Sequence, residues 1–506
     1  MNHTLKNLCL STLLAFTVYG CTSVGPEYKT PTAQVEPNWL EEQGPLIDST
    51  QTVAPEWWKS AFHDPVLDQL VEIALAQNLS LRSAGLRVLQ SQQQLGIAIG
   101  NQYPQQQQLT GAAARERSGD VIFNDYSLGF NVGWEIDFWG RFRREIESAS
   151  AALDASVASY DGAIVSLIAQ VAQNYLLIRT TQERLAVANH NLEFQRESVR
   201  VTSAKYKAGE VSALDVDQAQ TLLYNTSASV AALELSLQQF KNSLAILLGR
   251  PPQDMSKLLG PLQPVPTVKS VIALGMPQDL IRQRPDIRAA ERQLAAQSAQ
   301  IGVAVAELYP SFSIGGSIGT SAMSAGDLFE SASNTWGLVG GFQWNIFNYG
   351  RLKSNVRLQD AVFQQFLEDY RQTVLQAQGE VENNIVAFLK SQQQLQAYQL
   401  AADASQRAAK ISTAQYQDGL VDFNTVINTL VSLSSQQDQL AAIKGTVTTN
   451  LIAVYKSLGG GWEIHNSSEP RDLIPDQTRE EMLERTRYWN KTFNDTPSED
   501  AEGAPR

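Results

Sequence analysis

The sequence of 506 residues predicts a mainly α-helical chain that also contributes four β-strands and consists of two copies of one unit. Three observations carry this prediction. Several short motifs recur at one fixed displacement. Within each copy, apolar residues first alternate with polar ones, as in a half-buried strand. They then recur at every seventh position, as in a coiled coil.

Residues 1–20 have the pattern of a lipoprotein signal peptide. The apolar run Leu8–Tyr19 is too short for a membrane span, which needs about 20 residues. It leads into Val-Tyr-Gly-Cys21, which resembles the lipobox at which bacteria attach diacylglycerol to a cysteine. We therefore expect a mature chain that starts at Cys21 with a diacylglycerol and an N-acyl chain. Cys21 is followed by Thr22 and not by Asp, which favours sorting of the lipoprotein to the outer membrane. The alternative is an ordinary signal peptide with an incidental cysteine.

An internal duplication organises the rest of the chain. Trp134–Arg141 recurs as Trp344–Arg351, displaced by 210, and the same displacement relates Tyr206 to Tyr416 and Leu248 to Leu458. Before Trp134 and Trp344, corresponding residues of the two copies are displaced by 206. The predicted organisation is a signal peptide at 1–20, a lipid-anchored extension at 21–64, repeat 1 at 65–250, a Pro-rich connector at 251–271, repeat 2 at 272–460 and a polar C-terminal tail at 461–506.

Each copy contains two candidate strands. From Tyr126 to Phe138 every even position is apolar, and the other copy shows the same alternation from Trp336 to Ile346. A weaker candidate strand precedes each of them, around 107–114 and 311–320. Two strands per copy give four per chain.

Long helices follow the strands. The first heptad series occupies eight positions from Val157 to Tyr206, and its counterpart runs from Leu367 to Tyr416. A helix over 141–206 would be on the order of 100 Å long, far more than a soluble domain core requires. The sequence therefore predicts helices that pack side by side as coiled coils.

Both long helices are predicted to end in a tight helical hairpin. Gly209 and Gly419 lie three residues after the last heptad tyrosines, where a left-handed C-cap residue is needed. Ser212 and Asp422 follow at positions suited to N-caps of the next helices. Each copy thus carries one hairpin tip.

Strands of this length and alternation fit the outer-membrane type, in which about 9 to 11 residues cross the hydrocarbon. Four strands cannot close a barrel, and an open sheet edge is not tolerated in lipid. If the strands lie in the membrane, other copies of the chain must complete the barrel. Two copies would supply eight strands and three would supply twelve, and the strand pattern itself does not choose.

Composition excludes several classes of function. The net charge of -13 argues against nucleic acid as a partner, which would need a basic surface. Only two cysteines and four scattered histidines are present, so metal sites and Cys/His catalytic clusters are not expected, and the chain is not expected to be an enzyme. The glycines of Gly315-Gly316-Ser-Ile-Gly319 lie in a strand pattern and indicate close strand packing rather than a phosphate loop.

The chain resembles the lipoprotein branch of the TolC family, the outer-membrane factors of tripartite efflux systems. The resemblance extends from Cys21 to about Gly460 and rests on motifs that occur in the family's order. They are Cys21-Thr-Ser-Val-Gly25-Pro26, Trp57-Trp58, Asp64-Pro65-Val-Leu67, Arg284-Pro285-Asp286-Ile287, Tyr309-Pro310-Ser311-Phe312 and the two hairpin signatures. It implies a homotrimer with a twelve-stranded outer-membrane β-barrel, a long periplasmic α-helical coiled-coil barrel and a mixed equatorial region.

The resemblance also implies partners and site residues. The hairpin tips would contact a periplasmic adaptor protein that joins the channel to an inner-membrane pump, which the resemblance implies to be of the resistance-nodulation-division type. The implied adaptor-contact residues are Gly209, Glu210, Val211, Gly419, Leu420 and Val421. The implied periplasmic gate comprises Tyr206, Asp215, Asp217, Tyr416, Asn424, Thr425 and Asn428, with Thr425 and Asn428 standing where acidic residues are common in the family.

Other interpretations of the sequence stay open. Asp215 could concentrate negative potential on the channel axis, or it could be a solvated carboxylate at a helix N-terminus. The whole chain could instead be a duct for type I protein secretion, a lipid-anchored coiled-coil structural protein without a channel, or a periplasmic lipoprotein enzyme. No cofactor is expected apart from the lipid on Cys21.

Overall fold

The structure is a computed structural model that describes residues 23–41, 47–48, 51, 53–266, 272–465 and 469–494. The predicted signal peptide and Cys21 lie outside the described residues. The chain divides into two compact units. The first combines Met1–Ala33, Arg87–Ala158 and Arg288–Thr373; the second combines Gln34–Leu86, Ser159–Ile287 and Val374–Arg506. Each unit therefore takes parts of both sequence copies.

Helices and strands alternate in blocks along the described chain. The helices are α1 (Trp57–Phe62), α2 (Pro65–Gln77), α3 (Leu79–Gly100), α4 (Arg141–Lys207), α5 (Ala213–Leu247), α6 (Ser256–Leu259), α7 (Leu280–Gln283), α8 (Pro285–Ala306), α9 (Arg351–Gln417), α10 (Phe423–Ser457), α11 (Asp476–Arg485) and α12 (Asn490–Asn494). The strands are β1 (Ile47–Asp48), β2 (Gln106–Ser118), β3 (Val121–Ile136), β4 (Ile272–Ala273), β5 (Ser311–Ala322) and β6 (Asn334–Gln343).

The first unit is built on a four-stranded antiparallel sheet in the order β2-β3-β5-β6. These are the four strands that the sequence predicts. Gly119 and Asp120 connect β2 to β3, and Gly119 has a positive φ of 62°, as a tight hairpin turn with glycine at its first position requires. The strands β2 and β6 form the two edges of this sheet.

The strand register separates apolar from polar side chains. Directly paired residues share a face, so the pairs Leu109↔Phe130 and Phe130↔Ile318 lie on one side. That side carries, among others, Leu109, Leu128, Phe130, Val132, Trp134, Phe312, Ile314, Ile318, Trp336, Leu338 and Phe342. The opposite side is rich in serine, glycine and glutamine. The sheet thus has one lipid-compatible face and one polar face.

Small residues let β3 and β5 approach closely. A Cβ atom at Gly319 would overlap the backbone of Leu128 and Gly129, whereas one at Gly315 or Gly316 would make only ordinary contacts. The expectation that this glycine run marks close strand packing is confirmed at Gly319.

The predicted ends of two strands are wrong by a few residues. Phe138 is not in β3 because the Asp137 carboxylate accepts hydrogen bonds from the backbone N–H of Phe142 (3.1 Å) and Arg143 (3.0 Å) and caps α4. Trp344 and Ile346 are not in β6, which ends at Gln343. The Trp344 indole N–H donates to the Leu308 carbonyl at 3.0 Å, so the chain already leaves the sheet there.

The two helical hairpins lie mostly in the second unit, although α4 and α9 begin in the first. The 67-residue helices α4 and α9 agree with the length predicted for 141–206, and the 35-residue helices α5 and α10 follow them. One 18-residue window of α4 is apolar enough for a membrane span by composition, but 61% of that window is buried inside the protein. Its apolar residues therefore pack against the chain itself.

A buried polar network joins the N-terminal extension to α4. The Asp64 carboxylate accepts from the Val66 N–H at 2.9 Å as the N-cap of α2, and it also accepts the Tyr175 hydroxyl at 2.5 Å. Arg179 is fully buried and donates to Tyr175 and to the carbonyls of Leu259 (2.6 Å) and Pro261 (3.0 Å). Burial, followed by the bond to Asp64, raises the pKa of Tyr175.

The described parts of the extension and of the tail contribute buried side chains. Trp57 is buried, stacks on Tyr455 with ring centroids 4.9 Å apart, and donates its indole N–H to the Gly460 carbonyl. In the predicted polar tail, Leu473 and Ile474 are buried against the second unit. The backbone of β1 pairs with β4 as a short parallel ladder, which the sequence does not predict.

The duplication is preserved at the level of individual contacts. Trp134 donates to the Gln102 carbonyl just as Trp344 donates to that of Leu308. Asn78 donates to the Leu247 carbonyl at 2.8 Å, and Arg284, which stands 206 residues later, donates to the Ser457 carbonyl at 2.7 Å. The two copies therefore use equivalent anchor points within each unit.

Two glycines complete this pattern. Gly249 and Gly459 have positive φ angles of 69° and 81°, and a Cβ atom added to either would overlap the carbonyl group of Gln77 or Gln283. A side chain at either position would meet backbone atoms that cannot move independently of α2 or α7.

We expect Gly249→Ala to lower the free energy of unfolding by about 1–3 kcal/mol, because the Cβ atom of the new alanine would overlap the Gln77 backbone. The matched control is Gly260→Ala, where φ is 67° and no atom lies within 4 Å of the added Cβ. Thermal unfolding followed by circular dichroism compares the two variants. Equal stability losses would show that backbone strain alone, and not the close approach, requires Gly249.

Candidate functional site: the two hairpin tips

The two hairpin tips have the same backbone geometry. Gly209 and Gly419 adopt φ angles of 77° and 73°, and their N–H groups donate to the carbonyls of Tyr206 (2.9 Å) and Tyr416 (3.1 Å). One residue further, Glu210 donates to Lys205 and Leu420 donates to Gln415. These are the two hydrogen bonds of a Schellman C-cap, which confirms the predicted helix ends.

The helices that leave the tips are capped differently. Ser212 caps α5 in a capping box, in which the Asp215 carboxylate accepts from the Ser212 N–H at 3.0 Å and from its hydroxyl at 3.1 Å. Asp422 caps α10 and accepts the Thr425 N–H at 2.9 Å and its hydroxyl at 2.7 Å. Two residues of the predicted gate, Asp215 and Thr425, therefore have a capping role in the single chain.

The tips themselves are open to solvent. No atom lies within 4 Å of a Cβ built on Gly209 or Gly419, Glu210 is exposed, and Leu420 is 72% exposed. Val211 and Val421 are half-buried. The predicted adaptor-contact residues thus form two small exposed surfaces, one with the acidic Glu210 and the other with the apolar Leu420.

The two heptad tyrosines lie in different surroundings. Tyr416 packs against Phe423 with ring centroids 5.4 Å apart, and the Lys205 ammonium group lies 4.6 Å from its ring centroid. Burial raises the pKa of Tyr416, and the charges of Asp215 and Glu210 raise it further. Tyr206 is 50% exposed. The equivalence of the two tyrosines in the sequence therefore does not extend to their packing.

An apolar cluster holds the two hairpins of one chain together near the tips. Its buried members are Ala219 from α5 and Phe423, Val426 and Ile427 from α10. Val199, Leu222, Tyr416 and Leu430 pack against it. The sequence pattern does not predict the role of Phe423, because its partners lie on the other hairpin and on α9.

Two ion pairs continue this contact away from the tips. Arg184 on α4 donates to both carboxylate oxygens of Asp438 on α10, at 2.8 and 3.0 Å. Lys444 on α10 lies 2.7 Å from Glu183 on α4. Bidentate pairing fixes geometry as well as charge, so these bonds set the register of α4 against α10.

The remaining residues of the predicted gate lie on exposed helix faces. Asp217, Asn424 and Asn428 are exposed in the single chain. A groove of about 480 Å³ runs along α4, α9 and α10, with the exposed Phe194 and Lys410 among its lining residues. Within the part of the chain that the structure describes, no three His, Cys, Asp or Glu residues lie close enough together to hold a metal ion.

Comparison with known proteins places these features in a family. The family model described as outer membrane efflux protein matches residues 70–250 and 276–460. A probable efflux pump outer membrane protein, TtgC of Pseudomonas putida, is 30% identical over 471 residues, which is 90% of this chain and 96% of that protein. A probable outer membrane lipoprotein, SilC of Salmonella typhimurium, is 28% identical and covers 90% of this chain and 99% of its own length.

A solved structure gives the same result. The outer-membrane channel OprN is 32% identical to this chain with a TM-score of 0.82, and the match covers 87% of this chain and 100% of that one. The two 67-residue helices and the four-stranded sheet are thus the parts of a known channel fold.

The capping of α10 is expected to depend on pH. Hydrogen bonds from the Thr425 hydroxyl and N–H lower the pKa of Asp422. The stabilisation is therefore present above the unfolded-state pKa of Asp, about 3.9, and is lost as the pH falls through the lower folded-state value. Hydrogen-exchange protection at the start of α10 should decrease at acid pH, and Asp422→Asn should remove that dependence. An equal decrease in the variant would contradict the assignment.

Proposed function

The chain belongs to the outer membrane efflux protein family and is an outer-membrane efflux channel; on that premise we propose that it acts as a homotrimer whose hairpin tips receive an adaptor and gate the passage. The observation that carries oligomerisation is the open sheet, and the number of three chains follows from the resemblance to the TolC family. Its apolar face requires lipid, while its edge strands β2 and β6 have no partner within the described chain. Three chains would pair each β6 with the next β2 and close a twelve-stranded barrel.

The lipid anchor on Cys21 is part of the proposal. The described chain starts two residues later, and there Val24 donates its N–H to the Trp139 carbonyl at 3.0 Å, while Arg144 donates to the Val24 carbonyl at 3.2 Å. Gly25 lies against Gly302 so closely that a Cβ would overlap it. A lipid on Cys21 would thus be held beside Trp139, close to the periplasmic end of β3. The lipoprotein named among the relatives supports the same assignment.

A periplasmic adaptor is the proposed partner of the tips. Its docking surface would comprise the glycine turns at Gly209 and Gly419 and the groove with the exposed Phe194. Both tips present backbone and apolar side chains without a large charged group at the turn itself, apart from Glu210. The adaptor would connect the channel to an inner-membrane pump of the resistance-nodulation-division type.

The duplication suggests where the gate opens. In a ring of three chains, each hairpin of repeat 2 contacts a repeat 1 hairpin on both sides, once in its own chain and once in the next. The contact between chains would therefore use residues displaced by 210 from those described above. The ion pair Arg184–Asp438 has Gln394 and Ala228 as its counterparts, and the pair Glu183–Lys444 has Gln393 and Glu234.

The apolar cluster is also not repeated at the positions displaced by 210. Phe423, Val426 and Ile427 correspond to Ala213, Val216 and Asp217, and Ala219 and Leu222 correspond to Thr429 and Ser432. The contact between chains would thus lack both ion pairs and most of the apolar side chains that hold the hairpins of one chain together. We infer that opening separates neighbouring chains, while the two hairpins of each chain move as one body.

A bulky charged residue at a tip should disable export without preventing assembly. In Gly209→Arg and Gly419→Arg, the new side chain would point into open space and block the adaptor surface. Export of a reporter substrate from cells and trimer content in membranes measure the two effects. Gly209→Asn, which tolerates the left-handed conformation, should retain export. Unimpaired export in both arginine variants would remove the tips from the adaptor interface.

Cysteine cross-linking distinguishes the two contacts. Arg184→Cys with Asp438→Cys should be linked within a chain by a bifunctional maleimide and should leave opening unchanged. Ala228→Cys with Gln394→Cys should produce covalent trimers on denaturing gels and should keep the channel closed in planar bilayers and in export assays. If only the link within a chain prevented opening, the proposed separation between chains would be contradicted. If the pair Ala228→Cys and Gln394→Cys formed no covalent trimers, the proposed contact between chains would be contradicted.

A further inference from the structure

The charged residues of the four-stranded sheet are sorted completely by face. Strands β2, β3, β5 and β6 contain five charged residues, of which three are acidic: Glu116, Asp125 and Glu135. All three acidic residues lie on the polar face. Arg115 and Arg117, the two basic residues, pair with Asn124 and Ile122 and share the face of Phe130 and Trp134. A face turned toward lipid therefore carries positive charge only.

Both arginines lie at one end of that face. The pair Ala113↔Tyr126 ends the run of apolar and aromatic pairs, and Arg115 and Arg117 follow two and four residues further along β2. This end leads into the Gly119-Asp120 turn, whereas helices α3 and α4 join the opposite end of the hairpin. Because the helices of an outer-membrane channel of this family are periplasmic, the arginines lie at the cell-surface boundary of the apolar band.

The two guanidinium groups keep donors available at this boundary. Both side chains are exposed. Arg117 donates its Nε–H to the Gly119 carbonyl at 2.9 Å and lies 3.5 Å from Asp120, which leaves other N–H groups unused. For Arg115 the described residues provide no ion pair. A charged side chain directed at lipid is costly within the apolar band and becomes tolerable near the interface, where an anionic headgroup can meet it.

We propose that Arg115 and Arg117 form a binding site for the phosphate groups of lipid A, the phosphorylated lipid of the outer leaflet. Guanidinium groups suit this ligand because they bind phosphate oxygens through two parallel hydrogen bonds. Tyr126, the last aromatic residue below them on the same face, would contact the acyl chains at the interface. The proposal rests on the outer-membrane location and on the placement of the strands in lipid, and it does not depend on the adaptor or the gate.

The test measures binding of bisphosphorylated lipid A to the purified full-length trimer in detergent by native mass spectrometry. Removing both charges in the double variant R115Q/R117Q should weaken binding about thirtyfold, because each arginine near an anionic surface contributes about 1 kcal/mol, or about fivefold. Lipid A without phosphates should bind the unaltered protein as weakly as intact lipid A binds the variant. Inorganic phosphate at the same concentration should not compete, because it lacks the acyl chains.

The chain supplies matched controls. Glu116→Gln changes a charge between the two arginines but on the polar face, and it should leave lipid A binding unchanged. The variant R115K/R117K keeps the charges and should retain most of the affinity. Unchanged binding in R115Q/R117Q, or an equal effect of Glu116→Gln, would overturn the proposal. Channel conductance of each variant shows whether the barrel itself is intact, so loss of the site and failure of the channel are distinguishable.

Discussion

The central constraint on this molecule is that a backbone in hydrocarbon must have every N–H and C=O paired. Each chain supplies four antiparallel strands and stops there, with β2 and β6 as edges. A sheet with one apolar face and two open edges is stable in lipid only when further copies complete it. Much else about the chain follows from this. In the proposed trimer, the helices that join the sheet would form a ring of the same symmetry, and the hairpins of the three chains would share one opening.

Duplication supplies a regular way to build such a ring. The anchors at Asn78 and Arg284, at Gly249 and Gly459, and at Trp134 and Trp344 hold equivalent segments in equivalent positions. The hydrogen bonds among these anchors are accepted by backbone carbonyls, so the side chains of the two copies could diverge while the equivalent anchors stayed in place. The divergence is greatest where the hairpins meet. There Phe423 and Ala213 occupy corresponding positions, and only the phenylalanine enters an apolar cluster.

Much of the fold could be predicted because its signals are local. Heptad steps ending at Tyr206 and Tyr416, with Gly209 and Gly419 after them, locate the helix ends within the sequence itself. The ends of β3 and β6 could not be found that way, since they depend on where Asp137 and Trp344 find their partners. The buried Arg179 network was equally hidden, because its acceptors lie about 80 residues away in the connector. At the tips, capping by Asp215 follows from local spacing, whereas the unequal packing of Tyr206 and Tyr416 depends on the opposite hairpin.

The glycine turns also have an evolutionary consequence. Each turn is specified by main-chain hydrogen bonds and a left-handed glycine, so the residues beside it, Glu210 and Val211 or Leu420 and Val421, are not needed to shape it. Mutations there can change what a tip binds while leaving how it is built untouched. A single gene thereby encodes two surfaces that can change independently. An assembly of identical chains could present the two kinds of tip in alternation, and the number of partner subunits need not equal the number of chains.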